Sequence, residues 1–235
     1  MFTYKNKNSK NFGLRVLNEV TFTSPVRDVS LIQVPGRDGD LVRDNGRFNS
    51  VIKRMPCRLE VSDDGIEQAI SRVNNWLIDD GRFHEFEWEG DPEFLYRARI
   101  HGDVSTARFL SRFGKTMIDF SFHPVKYLKS SLGFRQVSSG DNVRNEFNID
   151  AKPRLRVLGN GDVTIHINGR PLVLRGISGG CLIDSESMSI TDLEGQYPWF
   201  ERMFSPFPVL TSGDNLITFG SNVSVFIEPR LGALV

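Results

Sequence analysis

The chain has 235 residues, with 29 Lys and Arg against 29 Asp and Glu, so its formal net charge is zero and no strongly basic footprint for nucleic acid is present. Hydrophobic residues make up 39% and charged residues 25%, which is a globular composition long enough to bury a sizeable core without metal or disulfide. No apolar run approaches the roughly 20 residues that span a bilayer, which argues against a membrane protein.

The N-terminus runs from Met1-Phe2-Thr3-Tyr4-Lys5 straight into Asn, Lys and Ser, which is not a secretory signal and implies a cytoplasmic protein. Val29 to Val34 and Val51 to Leu59 read as strands flanking a stretch dense in Gly, Asp and Asn. Between them stands Val34-Pro35-Gly36-Arg37-Asp38-Gly39-Asp40-Leu41, then Asp44-Asn45-Gly46-Arg47-Phe48. The plain reading is a solvated hairpin tip. The functional reading is a projecting hairpin that docks on another copy, with Arg37 and Asp38 as charge-assisted partners across the interface.

One long helix is expected over Gly65 to Asp80, where Ile66, Ala69, Ile70, Val73, Trp76 and Leu77 recur at helical spacing. Asp63 or Asp64 would cap its first turn, with Glu67 bonding back, and Gly81 would take the left-handed position after its end. Its single apolar face must pack on a sheet. Phe83 to Glu89 alternates, with Phe86 and Trp88 on one side and Glu85, Glu87 and Glu89 on the other. Leu95 to Ile100 and Lys115 to Phe122 are further strands. Around Ser130 to Asn148 the chain turns polar, which sets the expected domains at 1–132 and 133–235.

The second half reads as nearly all β. Leu155 to Leu158 precedes a turn at Asn160-Gly161-Asp162. Val163, Ile165 and Ile167 then alternate with polar residues up to Asn168-Gly169, a hairpin signal because both residues tolerate positive φ. Leu172 to Leu174, Cys181 to Ile183, Ser187 to Thr191, Leu216 to Phe219 and Val223 to Ile227 complete a set of short strands that suggests a sandwich.

Patterns that imitate active sites lack their supporting groups. Gly176-Ile177-Ser178-Gly179-Gly180 matches a nucleophile elbow, but a strand-like segment follows instead of a helix, and no histidine lies beyond His166. The acids Glu85, Glu87 and Glu89 suggest a glycosidase pair, yet acids at period two mark a solvent-facing sheet side. Asp38 to Asn49 fails the calcium-loop spacing at Val42 and Asn49. His84, His101, His123 and His166 share no helical spacing. Cys57 and Cys181 form no CxxC pair, so no zinc site is expected. They read as two reduced, buried thiols, with one long-range disulfide as the alternative. No catalytic residue, metal or cofactor is expected.

The order of motifs carries a resemblance. Phe12-Gly13-Leu14, Val34-Pro35-Gly36-Arg37-Asp38-Gly39-Asp40, Trp76-Leu77, Asp91-Pro92-Glu93-Phe94-Leu95-Tyr96 and Phe122-His123-Pro124-Val125 are followed by Lys152-Pro153-Arg154-Leu155, Ile167-Asn168-Gly169, Cys181-Leu182-Ile183-Asp184 and Gly213-Asp214-Asn215-Leu216-Ile217. This series resembles the distal tail protein (Dit) family of phages with long, non-contractile tails.

The resemblance implies a mainly β protein of the virion tail tip, assembled in the host cytoplasm. Residues 1–132 would form a hexameric ring from a β-sandwich, one helix and a hairpin that belts onto the next subunit. Pro35, Gly36, Arg37, Asp38, Gly39 and Asp40 would lie in that interface. Residues 133–235 would form a galectin-like β-sandwich on the ring's outside. The ring would join the tail tube protein to a tail-associated or fibre protein, and DNA would pass through its channel without specific binding. Larger members carry an inserted carbohydrate-binding domain or arm, for which this chain has no room. The alternative reading is a monomeric carbohydrate-binding or adhesin module, with Tyr197 and Trp199 as its aromatic surface.

Overall fold

The computed structural model describes all residues except 18–22, 61–64, 79, 103–104 and 111–112, and the backbone alone at 105–110 and 113. The chain divides into two compact units, Met1–Lys126 with Leu234–Val235, and Tyr127–Ala233. Each is mainly β, and the described residues contain one α-helix. None of the helices described is long and apolar enough to cross a membrane.

In the first unit an antiparallel sheet runs in the order Lys7–Asn8, Phe2–Tyr4, His84–Trp88, Phe94–Ile100, Phe113–Phe122, Val51–Glu60, Leu14–Val16. Its spine is the pair Val51–Glu60 and Phe113–Phe122, matched over their full length from Phe113 opposite Glu60 to Phe122 opposite Val51. Alternation along these strands sends Met55, Cys57, Leu59, Ile118 and Phe120 into one core. The helix Ile66–Leu77 lays Ala69, Val73, Trp76 and Leu77 against that core. Trp76 anchors it. Its ring stacks on Phe12 with centroids 4.2 Å apart, and its indole N–H donates to the Tyr4 carbonyl at 3.1 Å. The aromatic set continues through Phe2, Phe86 and Phe120 in stacked and edge-on contacts.

The helix is shorter than its periodicity suggests. It starts after Gly65, which makes no side-chain cap, and Asp63 and Asp64 lie outside the described residues. It stops at Leu77, because Ile78 turns extended and exposed while its carbonyl accepts from the Lys5 ammonium at 2.7 Å. Gly81 does have positive φ, but it serves the turn into His84–Trp88 rather than the helix end. Gly13 is required twice over: φ is +71°, and a Cβ there would sit 2.2 Å from the Glu60 carbonyl oxygen.

The second unit is a two-sheet sandwich. One sheet runs Arg135–Val137, Ser224–Glu228, Arg154–Leu158, Gly180–Asp184, Ser189–Thr191; the other runs Asn142–Asn145, Gly213–Phe219, Gly161–Ile167, Arg170–Ile177. Leu155, Val157, Ile183 and Val225 from the first meet Ile165, Leu172, Leu174 and Ile217 from the second in one core. Asn168 and Gly169 both take positive φ, as the hairpin between Gly161–Ile167 and Arg170–Ile177 requires. Two strands, Arg135–Val137 and Asn142–Asn145, lie inside the polar stretch from Ser130 to Asn148, where the sequence shows no strand pattern. Each contributes a single buried valine, Val137 or Val143, too sparse a pattern to show in sequence. Gly176 to Gly180 links a strand of one sheet to a strand of the other, with no helix following, so the elbow pattern is a sheet-to-sheet crossing. Both cysteines are buried free thiols, each pushed up to about 12 by burial.

One charged cluster is built into the first unit. Lys53 is only 6% exposed and lies 5.5 Å from the ring centre of Phe122. Burial, then the nearby Lys126, lowers it to about 8, while Asp91 opposes the shift. Burial works against the Asp91 charge, but hydrogen bonds from Lys126 and Tyr96, each 2.5 Å, hold its carboxyl below the usual range. Because the folded state depresses the lysine, its protonated form costs stability at and below pH 8, and that cost fades as pH rises toward the free value of 10.5. Lys53→Met is therefore expected to raise thermal stability at pH 7 by about 2–3 kcal/mol. The gain should shrink between pH 8 and 10.5, as read by paired melting curves.

A candidate interface on an exposed hairpin

Strands Arg27–Ile32 and Leu41–Phe48 pair antiparallel and form a two-stranded sheet of their own. The second strand of the hairpin is thus Leu41–Phe48, whereas the sequence reading placed it at Val51, which belongs to the spine of the main sheet. Glycine and Asp/Asn content hid the strand. The structure keeps it extended through side chains that cross to its neighbour.

That crossing is concentrated at the base. Arg27 donates to Asp44 at 2.6 and 2.9 Å and lies 4.9 Å above the Phe48 ring. Arg47 donates to Asp28 at 2.6 Å, and the Asn45 amide donates to Asp28 and to the Ser30 hydroxyl. Asp44 also accepts from the Gly46 N–H at 2.8 Å, where Gly46 takes φ +74° and the register shifts. Hydrogen bonds from Arg47 and then Asn45 hold the Asp28 carboxyl below the usual carboxylate range, and Arg27 then Gly46 do the same for Asp44.

Toward the tip the character changes. Leu31 faces Val42 across the pair, and Ile32 faces Leu41. Adjacent residues in a strand point to opposite faces, so these two pairs give the ribbon an apolar surface on both sides. Leu31 is 62% and Val42 61% exposed, and Val29, Ile32, Val34 and Leu41 are exposed as well. An isolated two-stranded ribbon is marginally stable in water. Here its apolar half contributes nothing to either core.

The six residues singled out from sequence, Pro35, Gly36, Arg37, Asp38, Gly39 and Asp40, form the connection between the two strands, and all are exposed. The Arg37 N–H donates to the Val34 carbonyl at 3.1 Å, and Gly36 takes φ +79°, which is a turn with Pro and Gly in its central positions. Gly39 has φ +76° with open space around it, so its requirement is backbone conformation rather than room. Among the described residues Arg37 and Asp38 make no ion pair with one another or with any other side chain. The sequence reading found this charged tip and the apolar strand Val29 to Val34 behind it, but gave those apolar residues no part in the interface. The signal was available in Asp28-Val29-Ser30-Leu31-Ile32, where apolar residues fall on both faces.

The residues of the imitated active sites have other occupations. Glu85 and Glu87 are exposed on their strand, and Glu89 accepts from the N-terminal ammonium of Met1 at 2.9 Å. His84 lies 2.8 Å from Asp80, which its imidazole holds at about 2. His123 packs edge-on against Phe83. Tyr197 is 65% exposed, while Trp199 is half-buried against the second core.

The architecture has a counterpart among solved structures. The crystal structure of SPP1 Dit (gp 19.1), described as a paradigm of the hub adsorption apparatus in phages infecting Gram-positive bacteria, superposes with a TM-score of 0.73 at 16% identity. The match covers 97% of each chain. This chain has the Dit fold from end to end, and the expected fold class, mainly β with a single helix, holds. No family model and no curated protein sequence matches it.

The carboxylates at the hairpin base give a pH signature. Both are depressed, so their contribution is present above the ordinary carboxylate range and is lost as pH falls through their folded values. Acidification should loosen this ribbon before either core. Corrected amide-exchange protection at Val29, Leu31 and Val42 is expected to drop at pH 3 while that of Phe120 and Ile165 persists. Asp44→Asn should reproduce the loss at neutral pH.

Proposed function

We propose that this chain is a structural subunit of a phage tail tip. It would act as a hub, assembled as a hexameric ring that joins the tail tube protein to a tail-associated or fibre protein and leaves a channel for DNA. The observation that carries the reading is the match to SPP1 Dit, with a TM-score of 0.73 over 97% of both chains at 16% identity. The hairpin supports assembly through self-association. It carries at least six large apolar side chains in solvent, and covering each would contribute on the order of 1 kcal/mol. A contact made by a hairpin on a different surface of the next copy is heterologous, and such contacts close into rings when the rotation divides a full turn. Pro35, Gly36, Arg37, Asp38, Gly39 and Asp40 would be covered by that neighbour, with Arg37 and Asp38 as its charged contacts. No catalysis is assigned. Equal numbers of basic and acidic residues support a channel along which DNA slides without specific binding.

Sedimentation and electron microscopy of the purified protein test this reading. A ring with sixfold symmetry is expected, and a strict monomer at all attainable concentrations would sink it. Arg37→Ala, Asp38→Ala and the double change Leu31→Ser with Val42→Ser should shift the protein to smaller species. Their stability should change by no more than about 0.5 kcal/mol for each charge removed, since those side chains are solvated in the free subunit. Gly39→Val should differ by distorting the turn itself, because a β-branched residue is strained at positive φ. Normal rings from the charge and apolar variants alike would place the interface elsewhere.

A further inference from the structure

The second unit carries a pocket that the hub reading does not use. It opens beside the strand Arg170–Ile177 and measures about 460 Å³. Its walls are Leu172, Pro171, Phe204 and Phe207, and its polar lining includes Arg170 and Ser205. The segment that builds it, Gln196-Tyr197-Pro198-Trp199-Phe200-Glu201-Arg202-Met203-Phe204-Ser205-Pro206-Phe207, bridges from Thr191 in one sheet to Leu174 at the edge of the other. Val173 donates its N–H to the Ser205 hydroxyl oxygen, and its carbonyl accepts from the Phe204 N–H. The main chain of Val173 is thus already occupied, which blocks the addition of a continuous further strand at that point.

Two polar side chains in the lining can donate to a ligand. Arg170 is exposed at the pocket and, among the described residues, its guanidinium has no carboxylate partner. Ser205 accepts through its oxygen and keeps its O–H to donate. Around the mouth, Arg175 lies 4.7 Å from the centre of the exposed Phe204 ring, and Arg202 lies 5.7 Å from that of Trp199. Glu201, on the same segment, stands beside Arg202 at 3.7 Å. The apolar surface also extends past the pocket, since Phe204 is 57%, Phe200 55% and Tyr197 65% exposed. Exposed aromatics with arginines are the composition of protein-binding surfaces, and they extend beyond what a small molecule would cover.

We infer that this pocket is a docking site for an extended segment of a partner protein that inserts an aromatic or large aliphatic side chain between Pro171, Leu172, Phe204 and Phe207 and sets an adjacent carboxylate on Arg170. The inference concerns the second unit alone and stands independently of the hairpin and of ring formation. Charge complementarity selects the occupant: among the described residues Arg170 is the single charged side chain lining an otherwise largely apolar pocket, which matches an anionic acceptor beside an apolar group.

The test uses the full chain and three dye-labelled, N-acetylated peptides, Gly-Phe-Glu-Phe-Gly and its Gln and Lys counterparts, with affinity read by fluorescence anisotropy. The Glu peptide is expected to bind about fivefold more tightly than the Gln peptide, and the Lys peptide more weakly still. Arg170→Glu, on an exposed position that leaves the core intact, should reverse the order of the Glu and Lys peptides, and Arg170→Lys should retain it. Equal binding of the three peptides, or an order unchanged by Arg170→Glu, would overturn the site. Binding of free 4-phenylbutyrate as tight as that of the Glu peptide would overturn the assignment to a protein segment.

Discussion

A two-stranded antiparallel ribbon has two faces, two edges and no interior. The ribbon formed by Arg27–Ile32 and Leu41–Phe48 therefore cannot bury Leu31, Val42, Ile32 and Leu41 within itself, and neither core receives them. What holds the ribbon is polar and local, a set of crossings among Arg27, Asp28, Asn45, Asp44 and Arg47 at its base. The base is self-sufficient and the distal half is not. This division leaves the hairpin stiff at its base and apolar at its exposed distal half.

The rest of the first unit is tightly packed. The spine of Val51–Glu60 and Phe113–Phe122 is fixed by its long matched register, and the helix is pinned to it by Trp76 between Phe12 and the Tyr4 carbonyl. A hairpin that leaves such a sheet starts from a rigid position. Pro25, buried just before the ribbon, and Val51, buried just after it, mark where the chain leaves and rejoins the packed body. The second unit solves its packing within itself, with one core between two sheets, and its surface is free to differ. The strap from Tyr197 to Phe207 uses that freedom, putting aromatic rings and arginines on the outside where packing does not require them.

Several elements were legible because local chemistry and tertiary packing agree. Ile66, Ala69, Val73, Trp76 and Leu77 form the buried stripe of the helix as their spacing predicts. Asn168-Gly169 makes its hairpin because the backbone there has few alternatives. The helix end was misread, since the carbonyl of Ile78 is taken by Lys5, which lies far away in sequence. Leu41–Phe48 was missed for a similar reason: its extended form rests on partners at Arg27, Asp28 and Ser30, not on its own propensities. The strands at Val137 and Val143 each bury too few apolar side chains for a period to show.

By itself the sequence determined the class of the molecule, a chain of two β-rich halves with one helix and a charged, glycine-bearing tip at Pro35 to Asp40. Those features depend on periodicity and on backbone permission, which neighbours in sequence decide. Tertiary structure alone decided which apolar residues are core and which are surface. Leu31 and Leu59 have the same side chain, yet one is 62% and the other 1% exposed. The difference lies in which strand pairs with which: Val51–Glu60 is flanked by strands on both sides and sends Leu59 into a core, and among the described residues Arg27–Ile32 has a single partner strand and leaves Leu31 exposed. Long-range pairing sets that contrast.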